Sequence, residues 1–215
     1  MTAARTHHRP APARRIAALV LAAGRSRRFG ADNKLLAELD GQPLLVHVVN
    51  AVACTQLEPV VVVAAHAPAQ LRRVLTDYDI VLAHNPNHAG GMGTSLRCGI
   101  AALPPAIDAV LVCLADMPGI TADHIGRLLD AFDPARGRCI IVPTYDGTRG
   151  NPVLWDAAFI PEMSRINGDV GARQLLTTHA DVVYEVEMPD QAVLIDIDTP
   201  ADMEAARRKP RKAKP

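Results

Sequence analysis

The chain has 215 residues, which suits one domain of moderate size. Because 49% of the residues are apolar and only 3% are aromatic, the core should consist of Val, Leu, Ile and Ala. The formal net charge is zero, so no overall electrostatic field attracts nucleic acid, and no apolar run approaches the ~20 residues of a membrane helix. The four cysteines are scattered without a Cys-x-x-Cys pair, so we interpret them as reduced core residues and not as disulfides or metal ligands.

Basic residues gather at both ends of the chain. Residues 1–14 and 207–215 mix Pro, Ala and cations, a composition that predicts disordered tails around a domain at 15–206. Two arginines before the first apolar run look like the start of a signal peptide, but basic residues follow that run where a cleavage site would need small ones. We therefore expect a cytoplasmic protein with no membrane or nucleic-acid partner.

Predicted strands and helices alternate along the chain. Short apolar runs typical of strands are 16–22, 60–65, 80–83, 109–115, 139–143 and 151–154, with an alternating edge strand at 181–187. Predicted helices are 43–53, 69–75, 94–103, 121–132, 157–165, 172–178 and one that begins at residue 200. This alternation predicts an α/β fold with a doubly wound, mostly parallel sheet.

The stretch 21–34 follows the first predicted strand and reads Leu-Ala-Ala-Gly-Arg-Ser-Arg-Arg-Phe-Gly-Ala-Asp-Asn-Lys. Small residues at Ala22, Ala23 and Gly24 let a ligand approach the backbone closely. Backbone N–H groups and the cations Arg28 and Lys34, carried outward on this loop, suit a ligand with several phosphates. The alternative is an ordinary loop whose basic residues serve solubility.

A glycine-rich loop at 90–93 leads into Thr94 and Ser95 at a predicted helix start. Its backbone N–H groups and the two hydroxyls suit the base, ribose or α-phosphate of a nucleotide. Gly91, Gly93, Thr94 and Ser95 are therefore candidate nucleotide-binding residues. A plain flexible loop is the alternative.

Three carboxylates are candidate metal ligands. Asp116 directly follows the predicted strand 109–115, where it is either a turn former or a ligand for a hard cation, and the nearby basic loop favours Mg²⁺. Asp196 and Asp198 alternate along one extended segment, so their side chains face the same way and one of them can complete the site. The alternative is that both merely end a strand and cap the helix that begins at Pro200.

The stretch 21–34 resembles Leu-x-Ala-Gly-x-x-x-Arg-(Met/Phe)-Gly-x-x-x-Lys, the signature of nucleotidyltransferases that activate sugars, polyols and the molybdenum cofactor. Neither the Walker nor the dinucleotide pattern fits, because Ala-Asp follows Gly30 and the glycines are too widely spaced. Further motifs follow in the family's order: 90–96, 116–118, 150–152, 168–173 and 196–200. Together they resemble the molybdenum-cofactor cytidylyltransferases of the MobA-like NTP transferase family, with Phe29 where Met is commoner.

The resemblance implies the Rossmann-like fold of nucleotide-diphospho-sugar transferases in a single domain. It implies transfer of CMP from CTP to a phosphate of molybdopterin or the molybdenum cofactor, with release of pyrophosphate and with Mg²⁺ as cofactor. Leu-Ala-Ala-Gly goes with CTP in this family, so Leu21 joins the nucleotide-binding residues and Ala23 indicates cytidine. Asn151, Asp169 and Arg173 are implied on the acceptor side.

The nucleophile of this reaction is an ionised phosphate, so catalysis requires alignment and charge neutralisation by Arg28, Lys34 and the metal on Asp116, without a general base. Two alternatives stay open. One is a nucleotidyltransferase of the same fold acting on a sugar, polyol or other phosphate acceptor. The other is a chaperone that carries the molybdenum cofactor to an apo-dehydrogenase. An apo-molybdoenzyme is a candidate partner of the cytidylyltransferase and of the chaperone.

Overall fold

The protein is described by a computed structural model that covers residues 14–24, 29, 33–65, 68–166, 168 and 172–208. Two of the predicted site residues, Arg28 and Asp169, lie outside these residues, as do 1–13 and 209–215 of the predicted tails. No helix within the described ranges is both long and apolar enough to cross a membrane.

Strands and helices alternate as predicted. The strands are β1 (Ile16–Ala22), β2 (Glu38–Leu39), β3 (Gln42–Pro43), β4 (Val60–Ala64), β5 (Val81–His84), β6 (Ala109–Leu114), β7 (Ile140–Tyr145), β8 (Thr148–Arg149), β9 (Val153–Asp156) and β10 (Val183–Glu187). The helices are α1 (Leu44–Ala53), α2 (Pro68–Val74), α3 (Met92–Ala101), α4 (Ala122–Ala131), α5 (Ile160–Met163), α6 (Arg173–Thr178) and α7 (Pro200–Arg208). Short 3-10 helices cover Lys34–Leu36, His88–Gly90, Pro134–Arg136, Ala157–Phe159, Ala180–Val182 and Gln191–Leu194.

The main sheet has the order β10-β7-β9-β6-β1-β4-β5, with β8 paired to β7. Strand β1 is parallel to β4 and β6, β4 is parallel to β5, and β7 is parallel to β10. Strand β9 is antiparallel to both of its neighbours, β6 and β7. The α/β class and the mostly parallel, doubly wound sheet are thus confirmed.

Helices cover both faces of the sheet, so successive residues of β1 are buried on opposite sides. Ala18 and Val20 belong to the core under α1 and α4, while Ala17 and Leu19 belong to the core under α3. Helix α3 lies very close to β1, since a Cβ added at Gly99 would come within 2.1 Å of Leu19 Cδ1. This close packing fixes where the first residues of α3 lie relative to the end of β1.

The parallel strands β1, β4, β5 and β6 end at one edge of the sheet. In their registers Ala22 pairs with Ala64, and Leu21 pairs with Leu114. Because β9 runs the other way, it starts at this edge, with Val153 opposite Val112. The segment 150–152 therefore reaches the edge where ligands bind in open α/β sheets.

Two sequence-based predictions are corrected by the structure. The extended segment predicted to carry Asp196 and Asp198 is not part of a strand. A 3-10 helix, Gln191–Leu194, precedes it and is capped by the Asp190 side chain, which accepts a hydrogen bond from the Ala192 N–H at 3.0 Å. Cys54 is exposed and not a core residue, because it follows the last residue of α1, where the buried face of that helix ends.

Candidate active site

A cleft of about 490 Å³ lies at the carboxyl ends of β1 and β6. It is lined by seven of the predicted nucleotide-binding residues, namely Leu21, Ala22, Ala23, Gly24, Lys34, Gly91 and Ser95. The predicted metal ligands Asp116, Asp196 and Asp198 also line it. The topology thus brings together the ends of two neighbouring strands, the start of α3 and the segment before α7.

Gly93 and Thr94 do not line this cleft and instead hold its wall in place. The Gly93 N–H donates to the Gly168 carbonyl at 2.9 Å, and a Cβ at Gly93 would lie 2.9 Å from the Ile166 carbonyl oxygen. The Thr94 hydroxyl donates to the Gly91 carbonyl at 2.8 Å. Both residues therefore fix the loop that precedes α3.

Asn85 is buried and holds the start of α3 and the loop before it in place, and the sequence had not identified it as a site residue. Its side-chain amide donates to the Thr94 and Ser95 hydroxyls at 3.0 and 3.1 Å, and its Oδ1 accepts the Asn87 N–H at 2.9 Å. Asn85 directly follows β5, so a polar residue at the carboxyl end of a predicted strand was the available signal.

The three predicted carboxylates converge. Asp116, Asp196 and Asp198 each offer an oxygen that lies within 4.8 Å of the others. Although no strand is present here, the side chains alternate about Ile197, which is buried and whose N–H donates to the Asp116 carbonyl at 2.9 Å. Asp196 and Asp198 therefore face the same way, as predicted, because the isoleucine between them is buried in the core.

The helix that follows holds this segment from the other side. The Asp202 carboxylate accepts hydrogen bonds from the Asp198 and Thr199 N–H groups at 3.1 and 2.7 Å. The Thr199 hydroxyl in turn accepts the Asp202 N–H at 3.1 Å, which is a capping box. Thr199 is thus the predicted cap, and the cap fixes the backbone that carries Asp198.

The sequence position of Lys34 suggested that its side chain projects from an exposed loop, but the structure buries it. Its side chain is only 7% exposed, and its ammonium donates to Asp116 Oδ2 at 2.8 Å, Asp198 Oδ1 at 2.9 Å and the Ile197 carbonyl at 3.0 Å. The reason is local: Asn33 caps the 3-10 helix Lys34–Leu36 by accepting the Leu35 N–H at 3.1 Å. That short helix turns Lys34 toward the acidic cluster.

Burial of Lys34 on its own lowers its pKa, but the charges of Asp116 and Asp198 and their hydrogen bonds outweigh burial and raise the pKa. The ammonium is therefore a fixed positive charge beside the cluster. Asp116 uses Oδ2 for Lys34, whereas its Oδ1 is buried without a hydrogen-bond partner among the described residues. A buried carboxylate oxygen without a partner is costly, so this atom fits a bound cation.

The three carboxylates also fit a hard divalent cation by their chemistry. Burial, and then the negative charges of Asp198 and Asp116, raise the pKa of Asp196. A divalent cation would relieve this repulsion.

We expect Asp196→Asn to stabilise the metal-free protein and to weaken metal binding. Because the pKa of Asp196 is raised on folding, its charge destabilises the folded state at pH values above the unfolded-state pKa, and removing the charge should raise the Tm in chelator. The increase should be small, because the side chain is exposed and solvent screens its charge. The stabilisation that Mg²⁺ adds to the wild type should shrink in the variant, and in the wild type it should weaken as the pH falls through the raised pKa. Thermal unfolding in chelator and in Mg²⁺ measures both effects.

Asp123→Asn is the control, because Asp123 is exposed on α4 outside the cleft: it should leave the response to Mg²⁺ unchanged and should not raise the Tm, since its contact with Arg127 is lost. A lower Tm of Asp196→Asn in chelator, or an unchanged response to Mg²⁺, would contradict the assignment of Asp196 to the cation site.

A second cavity of about 650 Å³ adjoins the cleft. Asn151 and Arg173, two of the residues implied on the acceptor side, line it, and Trp155 lies on its wall. The Asn151 N–H donates to the Val193 carbonyl at 2.9 Å, so the loop that contains Asn151 is tied to the segment that leads to Asp196. Arg149 also lines this cavity and had not been singled out in the sequence.

Comparison with known proteins gives a family match over most of the chain. Residues 18–182 match the family described as the MobA-like NTP transferase domain. Nicotine blue oxidoreductase of Paenarthrobacter nicotinovorans is 31% identical over 195 residues, covering 87% of this chain and 94% of that protein. Purine catabolism protein PucB of Bacillus subtilis is 29% identical, with coverage of 87% and 94%. Molybdenum cofactor cytidylyltransferase of Escherichia coli is 26% identical, with coverage of 89% and 95%.

Solved structures show the same fold. Rv0371c from Mycobacterium tuberculosis superposes with a TM-score of 0.80 at 22% identity, covering 91% of this chain and 99% of that one. A manganese complex of the same protein superposes with a TM-score of 0.73 at 23% identity, with coverage of 89% and 97%.

Proposed function

The chain belongs to the MobA-like NTP transferase family and is a nucleotidyltransferase, and we propose that it transfers CMP from CTP to the phosphate of molybdopterin or the molybdenum cofactor. In this reaction an acceptor phosphate oxygen bonds to the α-phosphorus of CTP. The bond from that phosphorus to the oxygen that bridges to the β-phosphate breaks, and the bonding electrons leave with pyrophosphate.

The observation that carries the proposal is that the cleft with the acidic cluster adjoins a second cavity whose lining combines apolar side chains with an arginine. Leu21, Leu114 and Met92 expose apolar surface to that cavity, and the side chains of Leu96, Val153 and Trp155 lie buried beneath it. The polar side chains of the lining are Thr148, Arg149, Asn151, Arg173 and Thr177. Such walls suit a ring system, while an arginine suits an attached phosphate. A sugar or polyol phosphate has little apolar surface to place against the apolar part of the lining, so a ring-bearing acceptor is favoured.

The chain's own residues supply alignment and charge. Asp116, Asp196 and Asp198 would hold the divalent cation, which when bound neutralises the phosphates and the leaving pyrophosphate. Lys34 fixes two of these carboxylates and adds a positive charge beside them. The acceptor phosphate is already ionised at neutral pH, so no residue needs to accept a proton. Arg28 is proposed as a further cation at the triphosphate.

We expect CTP with Mg²⁺ to protect the protein against thermal unfolding more than GTP does. The reason is Ala23 in the Leu-Ala-Ala-Gly stretch, which lines the cleft and goes with cytidine by family resemblance. At about 100 times its dissociation constant, CTP should raise the Tm by roughly 5–10 °C. Equal or greater protection by GTP would contradict the cytidine assignment.

The decisive test is pyrophosphate release with each nucleoside triphosphate and with molybdopterin, glucose 1-phosphate or a polyol phosphate as acceptor. Release should require both CTP and molybdopterin. Release with a sugar or polyol phosphate would identify a different acceptor. A chaperone would bind molybdopterin without releasing pyrophosphate. Because one relative is named an oxidoreductase, oxidation of NADH and NADPH is followed in parallel and should not occur.

A further inference from the structure

The nucleotide cleft and the acceptor cavity share three lining residues, Leu21, Leu114 and Met92. Leu21 and Leu114 are paired in the sheet register and form a ridge between the two spaces. Met92 is the first residue of α3 and approaches from the helix side. It is 45% exposed, although it is a large apolar side chain.

The backbone on both sides of Met92 is fixed. Gly91 has φ +91°, a conformation that favours glycine, and Gly93 has no room for a Cβ beside the Ile166 carbonyl. The hydrogen bond from Gly93 to Gly168 holds the same turn. The loop therefore keeps an exposed methionine at the boundary between the two cavities, while the long side chain itself stays adjustable.

We propose that Met92 is a specificity-determining residue that couples the two cavities, so that a bound nucleotide prepares the acceptor cavity. This rests on the proposed function in assigning one cavity to the nucleotide and the other to the acceptor. A nucleotide that packs against Met92 restricts its three side-chain torsions. The acceptor then binds a wall that is already ordered.

The size of the coupling follows from side-chain entropy. Ordering a methionine side chain costs conformational entropy, and two ligands that share this cost bind cooperatively. We expect acceptor-site affinity to rise by about threefold to tenfold when nucleotide is bound.

The test uses a probe that does not depend on the identity of the acceptor. 8-Anilinonaphthalene-1-sulfonate carries aromatic rings and an anionic group, as the acceptor cavity requires. Trp155 is the single tryptophan of the chain, and energy transfer from it reports dye bound anywhere within the radius of the domain. The part of the transfer that Arg173→Ala removes therefore reports dye bound in this cavity, because Arg173 lines it. The dye is titrated with and without Mg²⁺ and whichever of the four ribonucleoside triphosphates gives the greatest thermal protection.

The wild type should bind the dye threefold to tenfold more tightly in the presence of the nucleotide. Met92→Ala should bind both ligands but lose the coupling, to within a factor of about 1.5. Met92→Leu keeps the volume with fewer torsions and should retain a smaller coupling. Val81→Ala is the matched control, since Val81 is 47% exposed, lies on β5 and lines neither cavity.

The proposal is overturned by unchanged or weaker dye binding with nucleotide in the wild type, or by coupling that survives in Met92→Ala. Energy transfer that is equal in the wild type and in Arg173→Ala also overturns it, because the dye would then bind outside the cavity. If coupling depends on Met92 but CTP and molybdopterin release no pyrophosphate, only the proposed reaction fails. Turnover without coupling leaves the reaction in place and removes the role of Met92.

Discussion

Asp116→Asn is expected to abolish metal-dependent turnover while the protein still folds. The side chain keeps its size and can still accept a hydrogen bond from Lys34, but it loses the charge at Oδ1, the buried oxygen without a partner among the described residues. Loss of one electrostatic contact at a reacting centre costs roughly 10²–10³ in rate, and loss of a metal costs at least as much. Steady-state pyrophosphate release over a range of Mg²⁺ concentrations measures the effect.

Asp123→Asn is again the matched control, because its carboxylate is exposed and lies on a different element, α4. Nucleotide protection in chelator should be similar for wild type and Asp116→Asn, because the nucleotide keeps its contacts with the loops. The assignment fails if the variant turns over at the wild-type rate, if the wild type is fully active in excess chelator, or if a structure with CTP and Mg²⁺ places the cation far from Asp116.

The local pattern of the sequence was sufficient for most elements and for part of the site. Strand β1 was predicted at its observed bounds because seven small or apolar residues lie between a charged residue and a loop. The position of Asp116 in the cleft was predicted because it directly follows an apolar run, and parallel strands end at the binding edge. These features depend on neighbours in the chain, so local patterns reveal them.

Other features depend on contacts between distant segments. The antiparallel direction of β9 cannot be read from its composition, although it brings Asn151 to the acceptor cavity. Burial of Lys34 depends on Asp198, 164 positions away, and no local pattern distinguishes this lysine from an exposed one. The position of Met92 between the two cavities likewise cannot be read from a local pattern, because different parts of the chain form those cavities.

Lys34→Met is expected to reduce both stability and turnover, whereas the sequence alone suggested an effect on turnover only. The substitution keeps the apolar stem but leaves Asp116 and Asp198 without their ammonium partner. Breaking a buried pair by removing one partner costs up to about 3–5 kcal/mol. The two carboxylates are 22% and 35% exposed, so solvent offsets part of this and we expect about 2 kcal/mol, or ~4–8 °C in Tm.

The exposed pair between Arg127 and Asp123 provides the control, since Arg127→Met should cost less than about 1 kcal/mol. Turnover of Lys34→Met should fall by roughly 10²–10³, because a fixed positive charge beside the phosphates is lost. Equal destabilisation by the two substitutions would contradict a structural role for the Lys34 contact.

The response to pH and to metal separates the role of the Lys34 charge from simple packing. Because the pKa of Lys34 is raised above its usual 10.5 in the folded protein, the stability from this contact is fully present below pH 10.5. It is lost as the pH rises through the folded-state pKa, so the difference in unfolding free energy between wild type and Lys34→Met should shrink at strongly alkaline pH.

Mg²⁺ should also raise the Tm of Lys34→Met more than that of the wild type, because the cation no longer meets a competing ammonium at Asp116 and Asp198. An equal response of both proteins to Mg²⁺ would mean that Lys34 and the cation do not share these carboxylates.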